Sequence, residues 1–148
     1  MKTWKAVAVL AASVVMMVCL GGLYAWSVFV SPLQNDFGYK DAEVQAVFGT
    51  IILLFTVSMT VTGGLQDRFG PRPLAIASGL LLGVAYLGAS AWGTSYWMLW
   101  IFLGLLHGLA IGTGYVCPIA TAVKWFPKHK GLVTGLAVAG YGAGAILL

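Results

Sequence analysis

The sequence predicts an all-α, polytopic membrane helix bundle, and three observations carry that prediction. Only 8% of the 148 residues are charged and 60% are hydrophobic, with a mean hydropathy of +0.94. The apolar residues gather into five runs that no Asp, Glu, Lys or Arg interrupts. The basic residues between those runs fall almost all on one side of the layer that the runs define. A soluble domain carries roughly a quarter charged residues, and a chain this poor in charge cannot cover a water-facing surface. In lipid the same composition is expected. Segments of about 20 apolar residues form helices there because each backbone amide must be satisfied within its own segment.

The first span is expected over 6–30. Its basic start, Met1-Lys2-Thr3-Trp4-Lys5, resembles a signal peptide, but the apolar run exceeds the roughly 7–15 residues of a signal core and further spans follow. Ser31-Pro32 ends it. Asp41 is placed to cap the second span, 44–65, and Glu43 suits the positive helix end. A corner of Gly, Pro and charge follows, with Pro71 rigidifying the approach and Pro73 in the first turn of the third span, 74–92. Gly93-Thr94-Ser95 is so short a connection that the third and fourth spans, 74–92 and 96–123, must be antiparallel neighbours. The fifth, 131–148, is still running at Leu148 with no polar flank or interfacial anchor, so the chain is expected to be a piece of a longer protein.

Lys2, Lys5, Arg68, Arg72, Lys124, Lys128 and Lys130 share one side of the membrane if each span crosses once, and Lys40 alone lies opposite. The positive-inside rule then puts the N-terminus in the cytoplasm of a cell bounded by this plasma (inner) membrane. The same rule accounts for the net charge of +4 through anionic lipid, with no nucleic acid required. Trp92, Tyr96, Trp97 and Trp100 at one face, and Trp4, Trp125 and Phe126 at the other, form aromatic belts. Gly104, Gly108 and Gly112 recur every fourth residue, as do the pairs Gly131 and Gly135, and Gly140 and Gly144. Small residues at this spacing let helix backbones approach closely in lipid.

Catalysis is not expected. Cys19 and Cys117 lie within spans as small packing residues, and no spacing of Cys, His or acid forms a metal cluster or implies a cofactor. An intramembrane enzyme needs a nucleophile with its base or paired carboxylates, and His107 has no acidic partner at membrane depth. His107 is the one ionisable side chain of its kind inside a span, and two readings stand for it. It is a neutral, hydrogen-bonded packing histidine, or it handles a proton or substrate.

The corner "GGLQDRFGPRP", 63–73, sharpens the functional reading. Asp67 gains nothing from the positive-inside rule. It can pair with Arg68 or Arg72, or sit at a helix N-terminus, in one conformation and not in another. Gly63, Leu65, Asp67, Arg68, Gly70 and Arg72 resemble the signature between the second and third helices of the major facilitator superfamily. That resemblance implies a fold of about twelve helices, of which these five belong to the N-terminal six-helix half. It also implies that Asp67 contacts a helix of the absent C-terminal half to stabilise the outward-open state.

"YAWSVFVSPL", 24–33, and "KWFPKHKGLVTGLAVAGYGAG", 124–144, resemble the oxalate/formate antiporter family, with monocarboxylate transporters a little further off. This second resemblance implies a substrate path lined by Tyr24, Tyr115 and Tyr141. It implies a secondary transporter of small organic anions, working by alternating access within the lipid bilayer. Leu23 and Ile52 stand where that family's oxalate exchanger carries glutamines, which favours a more apolar monocarboxylate. Gly104 stands where proton-coupled members carry an arginine, and Gly140-Tyr141-Gly142 replaces the Gly-Pro antiporter signature. The visible spans hold no Lys or Arg, so cationic anchors for an anion are expected outside this chain. The competing reading is a small integral membrane subunit or scaffold that does not itself transport.

Overall fold

The computed structural model describes residues 2–147, with side chains from Trp4 to Ile146. Leu148, the last residue of the expected fifth span, and the side chain of Lys2 lie outside the described residues. The order of elements is α1 (Lys2–Leu20), a 3₁₀ turn (Gly21–Ala25), α2 (Trp26–Asn35), α3 (Asp41–Phe69), α4 (Pro71–Trp92), α5 (Tyr96–Leu99), a π-helical stretch (Trp100–Leu106), α6 (His107–Trp125) and α7 (Lys130–Leu147). Among the described residues there is no strand. Among the described residues four segments are long and apolar enough to cross a membrane: Trp4–Asn35, Asp41–Phe69, Pro71–Trp92 and Tyr96–Trp125.

The connections differ from the sequence expectation in instructive ways. The first span continues past Ser31, because Pro32 sits inside α2 rather than ending it. At the start of α3 the cap is Glu43, not Asp41: the Lys40 backbone N–H donates to Glu43 Oε2 at 2.8 Å, while Asp41 Oδ1 accepts from Gln34 Nε2 at 3.1 Å. A carboxylate three residues into the helix can reach back to the first backbone donor, which a carboxylate at the first helical position cannot do. The charged corner is a single residue. α3 runs through Asp67 and Arg68 to Phe69, Gly70 turns the chain at φ +79°, and α4 starts at Pro71. Only glycine takes that φ without strain, and Pro71 at the first helical position needs no backbone donor.

The chain forms two compact units, Met1–Ala25 with Tyr115–Leu148, and Trp26–Gly114. In the first, α1 and α7 meet through glycine. A Cβ added at Gly144 would stand 2.6 Å from the Val18 carbonyl oxygen and 2.8 Å from Gly21 Cα, and one at Gly140 would stand 3.1 Å from the Val14 carbonyl oxygen. Backbones this close gain dispersion and weak C–H···O contacts where no hydrophobic drive operates. Met17, Leu20, Leu23, Val133, Ala137 and Tyr141 are buried in this unit.

In the second unit α6 lies on α3. A Cβ at Gly112 would come within 2.6 Å of the Phe55 carbonyl oxygen, and one at Gly108 within 2.9 Å of that of Ile51. A Cβ at Gly104 would have ordinary room, 3.4 Å from its nearest neighbour, and one at Gly131 or Gly135 would meet nothing within 4 Å among the described residues. Ser78 Oγ donates to the Ala110 carbonyl at 2.7 Å and ties α4 to α6, fully buried. Trp100 Nε1 donates to Thr50 Oγ1 at 3.0 Å. The Tyr39 hydroxyl lies 3.0 Å from the Thr94 carbonyl and 3.3 Å from that of Gly93, joining two loops. Leu53, Leu80 and Leu87 stay exposed, as a helix facing lipid requires.

Candidate functional site

Tyr24 sits in the 3₁₀ turn, Tyr115 in α6 and Tyr141 in α7, and the structure brings the three rings together. Tyr141 lies between the other two. Its ring centroid is 5.2 Å from that of Tyr24 at 73°, and 5.1 Å from that of Tyr115 at 85°. Both are edge-to-face contacts, the arrangement that sets a positive ring edge against a negative ring face. Tyr141 is buried at 4% exposure, whereas Tyr24 is 60% exposed.

The 3₁₀ turn makes this meeting feasible. Three residues per turn in place of 3.6 rotate the positions after Leu20 relative to α1. The turn starts at Gly21, where a Cβ would fall on the carbonyl oxygen of Tyr141. The close approach that seats the turn thus involves the same residue whose ring centres the cluster. Leu23, beside Tyr24, is buried, and Ile52 is 39% exposed.

His107 begins α6 at the end of the π-helical stretch. It is 4% exposed. Its Nε2 lies 3.3 Å from the Tyr86 hydroxyl of α4, with ring centroids 5.1 Å apart. Its Nδ1 is buried with no hydrogen-bond partner among the described residues. Sequence reasoning picked out His107 and missed Tyr86. The signal was available: Tyr86 is a phenol in mid-span, as Tyr24 and Tyr115 are. It also missed Gly21, whose partner lies far along the chain.

At the corner, Asp67 and Arg68 are exposed at the end of α3, and Arg72 is exposed in the first turn of α4. Among the described residues Asp67 forms no ion pair with Arg68 or Arg72, so the local pairing anticipated for them is not made. Gly63 and Leu65 are helical positions of α3, and Gly70 is the hinge.

Residues 10–148 match the model of the Major Facilitator Superfamily. The chain belongs to that family. It is 39% identical over 127 residues to the uncharacterized MFS-type transporter YhjX of Escherichia coli strain K12, covering 86% of this chain and 31% of that protein. It is 30% identical over 136 residues to the oxalate:formate antiporter of Oxalobacter formigenes, covering 89% of this chain and 32% of the antiporter. It is 34% identical over 92 residues to apicoplast pyruvate carrier 1 of Toxoplasma gondii, covering 62% of this chain and 17% of the carrier. The chain thus spans about a third or less of the length of these curated relatives. Major facilitator membership agrees with an all-α, multi-pass membrane chain, and the transporter names of its relatives point away from an enzyme.

Proposed function

We propose that this chain is the first part of a secondary active carrier of small organic anions, with Tyr24, Tyr115 and Tyr141 lining the solute path. The observation that carries the reading is the ring cluster, because three helical segments converge on one buried phenol. Phenol hydroxyls donate to carboxylate oxygens while their rings present an apolar wall, which suits an acid with a short hydrocarbon body. Relatives named for oxalate and formate, for pyruvate and for nitrate or nitrite all handle small anions, which supports that class.

In this reading the carrier lies in the plasma (inner) membrane with its N-terminus cytoplasmic. A further, C-terminal set of helices supplies the cation an anion needs, since a buried charge without a partner costs many kcal/mol. Alternating access moves the two halves about the midplane. Asp67, exposed and in no ion pair with Arg68 or Arg72, is the carboxylate that engages the second half in one of the two states.

The test is uptake of labelled formate, oxalate and pyruvate by the intact carrier in liposomes. Saturable uptake of at least one acid is expected, with Tyr141→Phe raising its KM by up to about tenfold, the value of one hydrogen bond. Uptake of none of the three, or a Tyr24, Tyr115 and Tyr141 triple Phe variant indistinguishable from the parent, would overturn the reading. Asp67→Asn is expected to slow flux while leaving KM in place, as a change to the conformational step does.

A further inference from the structure

We propose that His107 is a proton-binding site, with the proton taken at Nδ1 and Tyr86 holding the ring. The site lies between α4 and the start of α6, apart in residue membership from the three tyrosines assigned to the solute path. A packing histidine satisfies both ring nitrogens, one as donor and one as acceptor. His107 satisfies one. The Tyr86 hydroxyl lies at 3.3 Å from Nε2, and Nδ1 is enclosed without a partner in a side chain of 4% exposure. With Nε2–H donating to the Tyr86 oxygen, Nδ1 keeps a free lone pair on a basic nitrogen.

The surroundings select the ligand. The facing group on α4 is Tyr86. α3, which packs against the π-helical stretch, has no Asp, Glu, Lys, Arg, His, Cys or Tyr from Val44 to Gln66. α5 brings Tyr96, whose ring is engaged by Tyr39 and Trp97. Along α6 itself the titratable groups are Tyr115, Cys117 and Lys124, two turns or more beyond His107. No group of three or more His, Cys, Asp or Glu side chains that could hold a metal ion forms among the described residues. Among the described residues, 44–66 of α3, 74–92 of α4 and all of α5 carry no Lys or Arg to hold an anion. A proton is the one ligand that a lone basic nitrogen binds unaided.

The step is simple. The Nδ1 lone pair takes a proton from hydronium, which leaves as water, the ring becomes imidazolium, and Nε2–H continues to donate to Tyr86. The resulting charge has no counter-ion on residues 44–66 of α3, on α4 or on α5, so it is favoured when the carrier also holds an anion. That coupling rests on the carrier reading given above. The proton site does not.

The setting also suits movement. π-helical segments inside α-helices recur at functional sites and mark places where the hydrogen-bond register can change. Here the His107 backbone N–H donates to Phe102 five residues back, so a return to α register would rotate His107 relative to Tyr86.

The experiment is nitrogen NMR of the intact protein in lipid nanodiscs, labelled with ¹⁵N-histidine. This chain holds two histidines, so His129→Gln leaves His107 as its single reporter, and a His107→Gln sample assigns the signal. At neutral pH the expected spectrum is one tautomer, with the proton on Nε2 and an imine-type Nδ1. Acidification is expected to abolish the imine signal in one reversible step while the helical circular dichroism persists. Tyr86→Phe is expected to mix the two tautomers. A neutral ring carrying its proton on Nδ1, an imine signal that survives until the helices melt, or a tautomer unchanged by Tyr86→Phe would each overturn the proposal. This readout needs no substrate, so failure of the carrier to move any acid is distinguishable from failure of the proton site.

Discussion

Two spans of this chain depart from α-helix in opposite senses. Gly21–Ala25 winds tighter, as 3₁₀ turn, and Trp100–Leu106 winds looser, as π-helix. The tight break is fixed backbone against backbone: a Cβ at Gly21 would overlap the Tyr141 carbonyl, and Gly144 Cα crowds the same spot. The loose break is fixed by aromatic side chains. Trp100 reaches Thr50 on α3, and Phe102 lies over Gly88 on α4 and stacks on Trp92 at 6.0 Å. An extra residue per turn brings these rings to their partners at the cost of poorer backbone geometry. The difference teaches where each span can yield. Rings have rotamers to spare, and carbonyls do not.

The largest effect should therefore come from Gly21→Ala. Alanine gains up to about 1 kcal/mol over glycine in regular helix, but here the methyl must displace a carbonyl held within α7. A loss of about 3 kcal/mol, the upper end for overpacking, is expected as a lowered melting temperature in detergent. Gly88→Ala would place a Cβ in overlap with side-chain atoms of Phe102, yet that ring can swing aside. Its net change should stay under about 1 kcal/mol, since strain and helix propensity oppose each other. Equal losses at the two sites would break the comparison.

The next effect tests what holds the loose break. Trp100→Phe keeps a ring and removes the donor to Thr50. A destabilisation of about 1 kcal/mol is expected, the usual net value of one hydrogen bond. Hydrogen exchange at amides of Trp100–Leu106 should quicken while that of α7 is unchanged. Exchange that quickens in both would mean that the two breaks do not yield separately.

Much of this was legible in the sequence because the signals were local. Uninterrupted apolar runs gave the helical class. Gly108 and Gly112 share a face by their spacing, and Cβ atoms added there would meet α3 backbone. The two breaks were not legible. Helices facing lipid on much of their surface carry little hydrophobic periodicity, so a change of register leaves no trace in the pattern of apolar residues. Gly21 and Tyr141 are distant in sequence, and nothing around Gly21-Gly22 names its partner. A Cβ at Gly135 meets nothing within 4 Å among the described residues, because four-residue spacing marks a face without naming its neighbour. Gly135→Ala should accordingly stabilise slightly, by about 0.5–1 kcal/mol through helix propensity alone, measured against Gly144→Ala as the crowded counterpart.

The smallest expected effect concerns the loop that joins α2 to α3, and it separates packing from charge. Tyr39 stacks on Phe37 and meets Tyr96 edge to face, with its hydroxyl at the Gly93 and Thr94 carbonyls. Burial first, and the Glu43 carboxylate second, hold its phenol above the usual value of 10.0. A raised phenol means that folding favours the neutral form. The stabilisation from the neutral Tyr39 contact is fully present below about pH 10, the unfolded value. It is lost as pH rises through the raised folded value. Because Tyr39 is only half-buried in a surface loop, the effect is best read locally, as the tyrosinate absorbance that Tyr39→Phe removes. Glu43→Gln should bring that step part of the way back toward 10 and leave the remainder, since burial is the larger cause. A step returned fully to 10 by Glu43→Gln would assign the shift to charge and leave the stacked loop with no energetic role.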